Sequence, residues 1–145
     1  TLAILDLRDT RVTDARMKFL AESSSIASLQ LDNTTIGDEG LKTLAASIDF
    51  DMLGLKNTRV TDAGLAHLRR MSHLYSLLLS DTVVNDQGLE HIGGLTSLQW
   101  LFLDNTYISD QGMAHLANLT KMVDLQLNDT DVGDDGLADL QGMNN

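Results

Sequence analysis

Three histidines, His67, His91 and His115, stand 24 residues apart, and two columns of acidic or amide side chains repeat at the same interval. Imidazoles could hold zinc, and convergent oxygens could hold calcium. The spacing argues against both. Equivalent positions in successive repeats form a row, with neighbouring helices about 8–10 Å apart. Three side chains in a straight row cannot all reach one zinc through bonds of about 2.0–2.1 Å. Calcium takes roughly six to eight oxygens around one point. The columns Asp14, Asp38, Asp62, Asp86, Asp110, Asp134 and Asp9, Asn33, Asn57, Asp81, Asn105, Asp129 each supply one side chain per repeat, and no Asp-x-Asp-x-Asp-Gly loop occurs. The chain has no Gly-x-Ser-x-Gly, no phosphate-binding glycine loop, no His-Glu-x-x-His and no cysteine, so the usual nucleophilic and metal-assisted motifs are missing. The adjacent pair Asp134-Asp135 falls at a helix start, which already accounts for it. The expectation is a chain without metal, cofactor or catalysis, whose chemistry is recognition.

The elements that position side chains follow from the period. Leu-x-Leu pairs fall at Leu5/Leu7, Leu29/Leu31, Leu53/Leu55, Leu77/Leu79, Leu101/Leu103 and Leu125/Leu127, each 24 residues after the last without insertion. A fixed period of this size marks a stacked array. Alternation with period two makes each pair a short strand with both leucines on one face. Five residues after each first Leu comes Thr (Thr10, Thr34, Thr58, Thr82, Thr106, Thr130), then a β-branched residue (Val12, Ile36, Val60, Val84, Ile108, Val132). Apolar residues at helical spacing follow, as in Leu65 and Leu68 or Leu89 and Ile92. Between them lie Thr13, Gly37, Thr61, Asn85, Ser109 and Gly133, all types favoured at a helix N-cap. The next residue is Asp, in the first turn where the helix dipole favours an anion. Gly40, Gly64, Gly88, Gly112 and Gly136 then predict close packing between adjacent repeats; the first repeat has Arg16 there. No single repeat can bury both faces, and stacking makes one continuous core.

This pattern, Leu-x-x-Leu-x-Leu-x-x-Thr-x-Val/Ile-x-Asp-x-Gly-Leu-x-x-Leu, resembles the leucine-rich repeat family over essentially the whole chain. It is most similar to the helix-containing kinds, such as ribonuclease-inhibitor-like, F-box-associated and bacterial repeat proteins. The resemblance implies an α/β right-handed solenoid, with a parallel β-sheet on the concave side and short helices on the convex side. It departs in one column: Thr stands where the family often has Asn or Cys. A threonine hydroxyl both donates and accepts, which leaves an internal hydrogen-bond ladder open to it.

On such a sheet the residues flanking the leucines point away from the core. They run Ile4, Ser28, Met52, Ser76, Trp100, Asp124 before the first Leu, and Asp6, Gln30, Gly54, Leu78, Phe102, Gln126 between the two. Strands about 4.8 Å apart put Leu78 beside Phe102, with Trp100 on the same strand and Met52 across Ser76. Tyr75 and Tyr107 lie near strand ends and extend the patch. Four of the six aromatic residues thus fall on or near the outward face. An apolar cluster with a polar rim marks a partner site, and aromatic anchors suit it. The expected partner-binding set is Trp100, Phe102, Leu78, Met52, Tyr75, Tyr107, Asp104 and Gln126, with Ser80, Asp81 and Asn105 completing the rim.

Charge narrows the partner. Residues 1–70 hold nine Lys/Arg against ten Asp/Glu, whereas residues 71–145 hold Lys121 alone against eleven acids. That half disfavours nucleic acid, whose affinity comes from cationic phosphate contacts, and favours a basic protein or peptide. No apolar run approaches the roughly 20 residues of a membrane span. Absence of cysteine leaves the compartment open. The chain begins on a strand at Thr1-Leu2 and ends after a helix, with no dedicated capping unit, which predicts one array of six repeats over 1–145 taken from a longer protein. Protein binding on the concave face is the function expected. Two other roles stand beside it: a structural spacer that self-associates through open ends, and substrate recruitment for an attached enzyme such as a ubiquitin ligase.

Overall fold

The computed structural model describes residues 2–22 and 25–143; the first and last residues and Ser23, an irregular position of the first repeat, lie outside them. Six three-residue strands form one parallel sheet in chain order: β1 (Ile4–Asp6), β2 (Ser28–Gln30), β3 (Met52–Gly54), β4 (Ser76–Leu78), β5 (Trp100–Phe102) and β6 (Asp124–Gln126). Every pairing keeps the 24-residue register, with Leu29 opposite Leu53 and Leu77 opposite Leu101. Each strand is centred on the first leucine, one residue earlier than the Leu-x-Leu pair suggests. The second leucine still donates across the ladder, Leu79 N–H to Phe102 C=O at 2.8 Å. Two residues later the backbone turns away through Asp9, Asn33, Asn57, Asp81, Asn105 and Asp129, all at φ of 50–60°. Asn and Asp are the non-glycine types that enter this left-handed region most readily.

Short helices follow: α1 (Met17–Ala21), α2 (Asp38–Ala45), α3 (Asp62–Leu65), α4 (Asp86–Ile92), α5 (Asp110–Met113) and α6 (Asp134–Ala138), several extended by a 3-10 turn. The expected N-caps precede α2 to α6, whereas in the first repeat Thr13 precedes a 3-10 turn, without a cap bond, and Arg16 stands before α1. The side chains of Thr61, Asn85 and Ser109 accept from the N–H two residues on. The leucine columns close the core: Leu53, Leu55, Leu77, Leu79, Leu101 and Leu103 are fully buried.

The aspartate column does more than face a helix dipole. The first five aspartates each reach into the next repeat and accept the N–H of its N-cap residue: Asp14 from Gly37, Asp38 from Thr61, Asp62 from Asn85, Asp86 from Ser109 and Asp110 from Gly133, at 2.6–2.9 Å. The glycine column is the other half of this joint. A Cβ built at Gly40, Gly64, Gly88, Gly112 or Gly136 would lie only 2.3–2.6 Å from that same carboxylate. Close packing between repeats is thus confirmed, and its cause is the carboxylate of the preceding repeat.

The threonine column does not form the ladder between repeats that its chemistry allows. Each hydroxyl donates within its own repeat, as Thr82 does to Leu79 C=O at 2.6 Å and Thr34 to Leu31 C=O at 2.6 Å. Each of these hydroxyls is committed to the carbonyl three residues before it. Side chains one residue earlier make the cross-repeat bonds: Asn33 Nδ2 to Asp9 at 2.8 Å, Asn57 Nδ2 to Asn33 at 2.9 Å and Asn105 Nδ2 to Asp81 at 2.8 Å. Asp81 cannot donate onward to Asn57, and an ion pair from Lys56 Nζ to Asp81 at 3.3 Å crosses that junction.

Candidate functional site

The outward rows meet as their spacing requires. Ser76 pairs with both Met52 and Trp100, and Leu78 with both Gly54 and Phe102. Ser76 is small and buried, so it forms a floor between two large neighbours. Met52, Tyr75, Leu78, Trp100 and Phe102 line one shallow groove of about 440 Å³, with Gln30 and Ser76. Tyr75 meets Trp100 edge-to-face, ring centroids 5.5 Å apart at 73°, an arrangement favoured by aromatic quadrupoles. That contact fixes the indole before any partner arrives. The five apolar side chains are half-buried, resting on one another with their outer surfaces in solvent.

Gln30 was not among the expected site residues. Its signal in the sequence is Gly54, the one residue of its row without a side chain. The Gln30 amide occupies the space so left: its Oε1 lies 2.0 Å from where a Gly54 Cβ would be. Its Nε2 donates to Met52 Sδ at 3.1 Å, while Oε1 is the single buried side-chain oxygen or nitrogen without a partner among the described residues.

The rim divides. Asp104 accepts from the Asn128 N–H at 2.9 Å, from Asn128 Nδ2 at 2.6 Å and from Ser80 Oγ at 3.2 Å, so its carboxylate is already held. Gln126 donates to Asp124 at 3.2 Å. Tyr107 is not part of the aromatic groove. It is 66% exposed and lines a separate hollow with Asp81, Val83, Asn105, Asp129 and Asp131. A residue beyond the left-handed turn lies around the corner from the sheet face, which linear distance from the strand does not reveal.

Charge along the sheet runs from paired to acidic. At β1 the Arg8 guanidinium clamps Asp6 through both oxygens, at 2.9 and 2.6 Å, and this bonding holds the Asp6 carboxyl down at about 2. Asp32 behaves oppositely. It is 8% exposed, and burial pushes its carboxyl up despite the Lys56 N–H at 2.9 Å and the nearby Arg8 charge. The fold therefore favours protonated Asp32. Its contribution to stability is full below the ordinary value of 3.8 and is lost as pH rises through its folded value. Asp32→Asn keeps an acceptor and cannot ionise, so it should raise the thermal midpoint at neutral pH, and the gain should vanish in scans below that value. A midpoint lowered equally at both pH values would contradict this.

The histidine row is dispersed. Arg69 Nη2 donates to His91 Nδ1 at 2.5 Å, and His67 and His115 are exposed on the helix side. No cluster of three or more His, Cys, Asp or Glu able to hold a metal exists among the described residues.

The leucine-rich repeat family model matches residues 22–45 and 118–140. Among solved structures, internalin C2 of Listeria monocytogenes superposes with a TM-score of 0.68 at 23% identity, covering 97% of this chain and 68% of that one. An internalin F of the same organism gives 0.54 at 20% identity, covering 97% of this chain and 52% of that one. No curated protein sequence matches. The chain folds as a leucine-rich-repeat solenoid. In this solenoid the resemblance drawn from the repeat pattern holds for the fold, with parallel sheet and short helices alternating; the ribonuclease-inhibitor-like kind is not singled out. The leucine-rich-repeat sheet displays the aromatic groove, while the Tyr107 hollow lies on its lateral edge.

Proposed function

We propose that this chain binds a protein partner on the concave sheet face, in the groove of Met52, Tyr75, Leu78, Trp100 and Phe102. The observation that carries the reading is the groove itself: five large apolar side chains on an outward face, prearranged by the Tyr75–Trp100 contact. A preorganised surface spends little ordering entropy on binding, and central aromatic anchors contribute most of the affinity at such sites. The residues beyond Arg70 add acids without cations, Lys121 excepted, so a partner that places an apolar side chain in the groove and basic residues toward Asp104, Asp124 and Asp129 fits best. Asp104 and Gln126 act as rim. The two similar structures are both internalins, which supports the scaffold reading by analogy of fold.

The test is affinity capture by the folded chain and by a Trp100→Ala/Phe102→Ala double mutant, read by mass spectrometry. A protein captured by the first and lost by the second supports the reading, provided the two melt within a few degrees. Truncating half-buried outward side chains leaves the leucine columns intact. Equal capture by both would move the site off this face.

A further inference from the structure

Gly54 stands on an outward row yet is buried, because the Gln30 amide lies across it. A Cβ on Gly54 would meet Gln30 Oε1 at 2.0 Å and Asp32 Oδ1 at 2.8 Å. The space over Gly54 therefore ends on the Asp32 carboxylate, and Gln30 is its plug. The plug is poorly held. Its Nε2 donates to a thioether, Met52 Sδ at 3.1 Å, which is a weak acceptor. Its Oε1 has no partner among the described residues, and a buried acceptor left unpaired costs free energy. Swung outward, both ends of the amide regain water. Asp32 is also short of partners. It is 8% exposed and accepts one hydrogen bond among the described residues, from the Lys56 N–H. The cations of its column serve other acids: Arg8 clamps Asp6, and Lys56 Nζ pairs with Asp81 at 3.3 Å. Asp32 is left without a cation of its own, and burial disfavours its charge.

We propose that Gln30 closes a subsite at one end of the aromatic groove, and that an arginine of the partner opens it and faces Asp32. The inference rests on reading the groove as a protein-binding site, and it names the side chain that this end takes. The arginine stem would lie on Leu78 and Met52, which flank Gly54 across the sheet and along the strand. Its guanidinium would take the place of the Gln30 amide. A planar amide already fits there, and a guanidinium is planar too, with donors forked to match a carboxylate. A lysine ammonium lacks that plane, and an acidic or aliphatic side chain leaves Asp32 without a counter-charge. A closed state held by one weak bond is readily exchanged for an open one that a ligand makes dominant.

The experiment is an NMR titration of the folded chain with benzamidine, a planar cation on an apolar ring, set against benzamide, its neutral planar counterpart. Benzamidine should shift the Gly54 backbone amide and move the Gln30 side-chain amide pair to a solvent-exposed position; benzamide at the same concentration should do neither. Gln30→Ala removes the plug and should tighten benzamidine about tenfold, as expected for an open state populated at roughly 10%. Adding Asp32→Asn to that variant should weaken benzamidine about tenfold and leave benzamide unchanged. Gly54→Val fills the space and should remove the difference between the two probes. These variants keep the leucine columns, and their thermal midpoints check that they fold. Equal binding of the two probes to the Gln30→Ala chain, or binding of neither, would overturn the subsite without touching the groove, which the capture experiment tests. Capture that survives Trp100→Ala/Phe102→Ala while benzamidine binding still depends on Asp32 would overturn the groove reading and keep the subsite.

Discussion

Leu79→Ala is expected to lower the free energy of unfolding by about 2–5 kcal/mol. Leu79 is fully buried, in the column that runs through Leu55 and Leu103 near the middle of the array. Its backbone is held on both sides, by its N–H to Phe102 and by its carbonyl accepting from Thr82. The strand therefore cannot sink into the space left by the removed methyl groups, and the cavity persists. In a stacked array each repeat is stabilised by its two neighbours, so damage in the fourth repeat weakens interfaces on both sides. Equilibrium urea denaturation checks the value. A loss below about 1 kcal/mol would mean that the column repacks freely and that the core is less uniquely ordered than these burial values imply.

Gly88→Ala is the second large effect, expected at about 1–3 kcal/mol from overpacking together with disruption of the Asp62 bond to the Asn85 N–H. The new Cβ would meet Asp62 Oδ1 at 2.5 Å, Val84 Cγ1 at 2.8 Å and Leu65 Cδ1 at 3.0 Å. All three are side-chain atoms, and the Asp62 carboxylate and Val84 methyl must both move to admit the new carbon. Gly94 is the matched control, because nothing lies within 4 Å of its missing Cβ. Gly94→Ala should leave stability unchanged or raise it by up to about 1 kcal/mol through the unfolded chain. Equal effects of the two substitutions would refute the joint and leave only a generic cost of replacing glycine.

Much of this architecture was legible because the repeat is exact. A constant 24-residue interval places residues side by side without any knowledge of side-chain direction, and so Met52, Ser76 and Trp100 could be put on neighbouring strands from their numbers alone. The N-cap column was legible for a local reason: Thr61, Asn85 and Ser109 act on amides two residues away. What escaped the sequence were contacts that depend on where a side chain turns. Asp62 read equally well as a dipole partner of its own helix, yet its carboxylate serves the next repeat. Thr82 could have reached along the array and instead bonds its own strand. Tyr107 is four residues from Leu103, but a left-handed residue at Asn105 intervenes and turns it onto another face. Gln30 was visible as an outward residue; that it would fill the space over Gly54 depends on the bond to Met52.

The central claim is that a partner seats over Trp100, and the chain contains one tryptophan. Fluorotryptophan incorporation therefore gives a single fluorine resonance that reports on the groove alone. Titration with the captured partner, or a peptide derived from it, should shift that resonance and protect it from a soluble paramagnetic quencher, with the change saturating at the binding stoichiometry. Binding that leaves the resonance and its quenching unchanged would place the partner elsewhere and contradict the account.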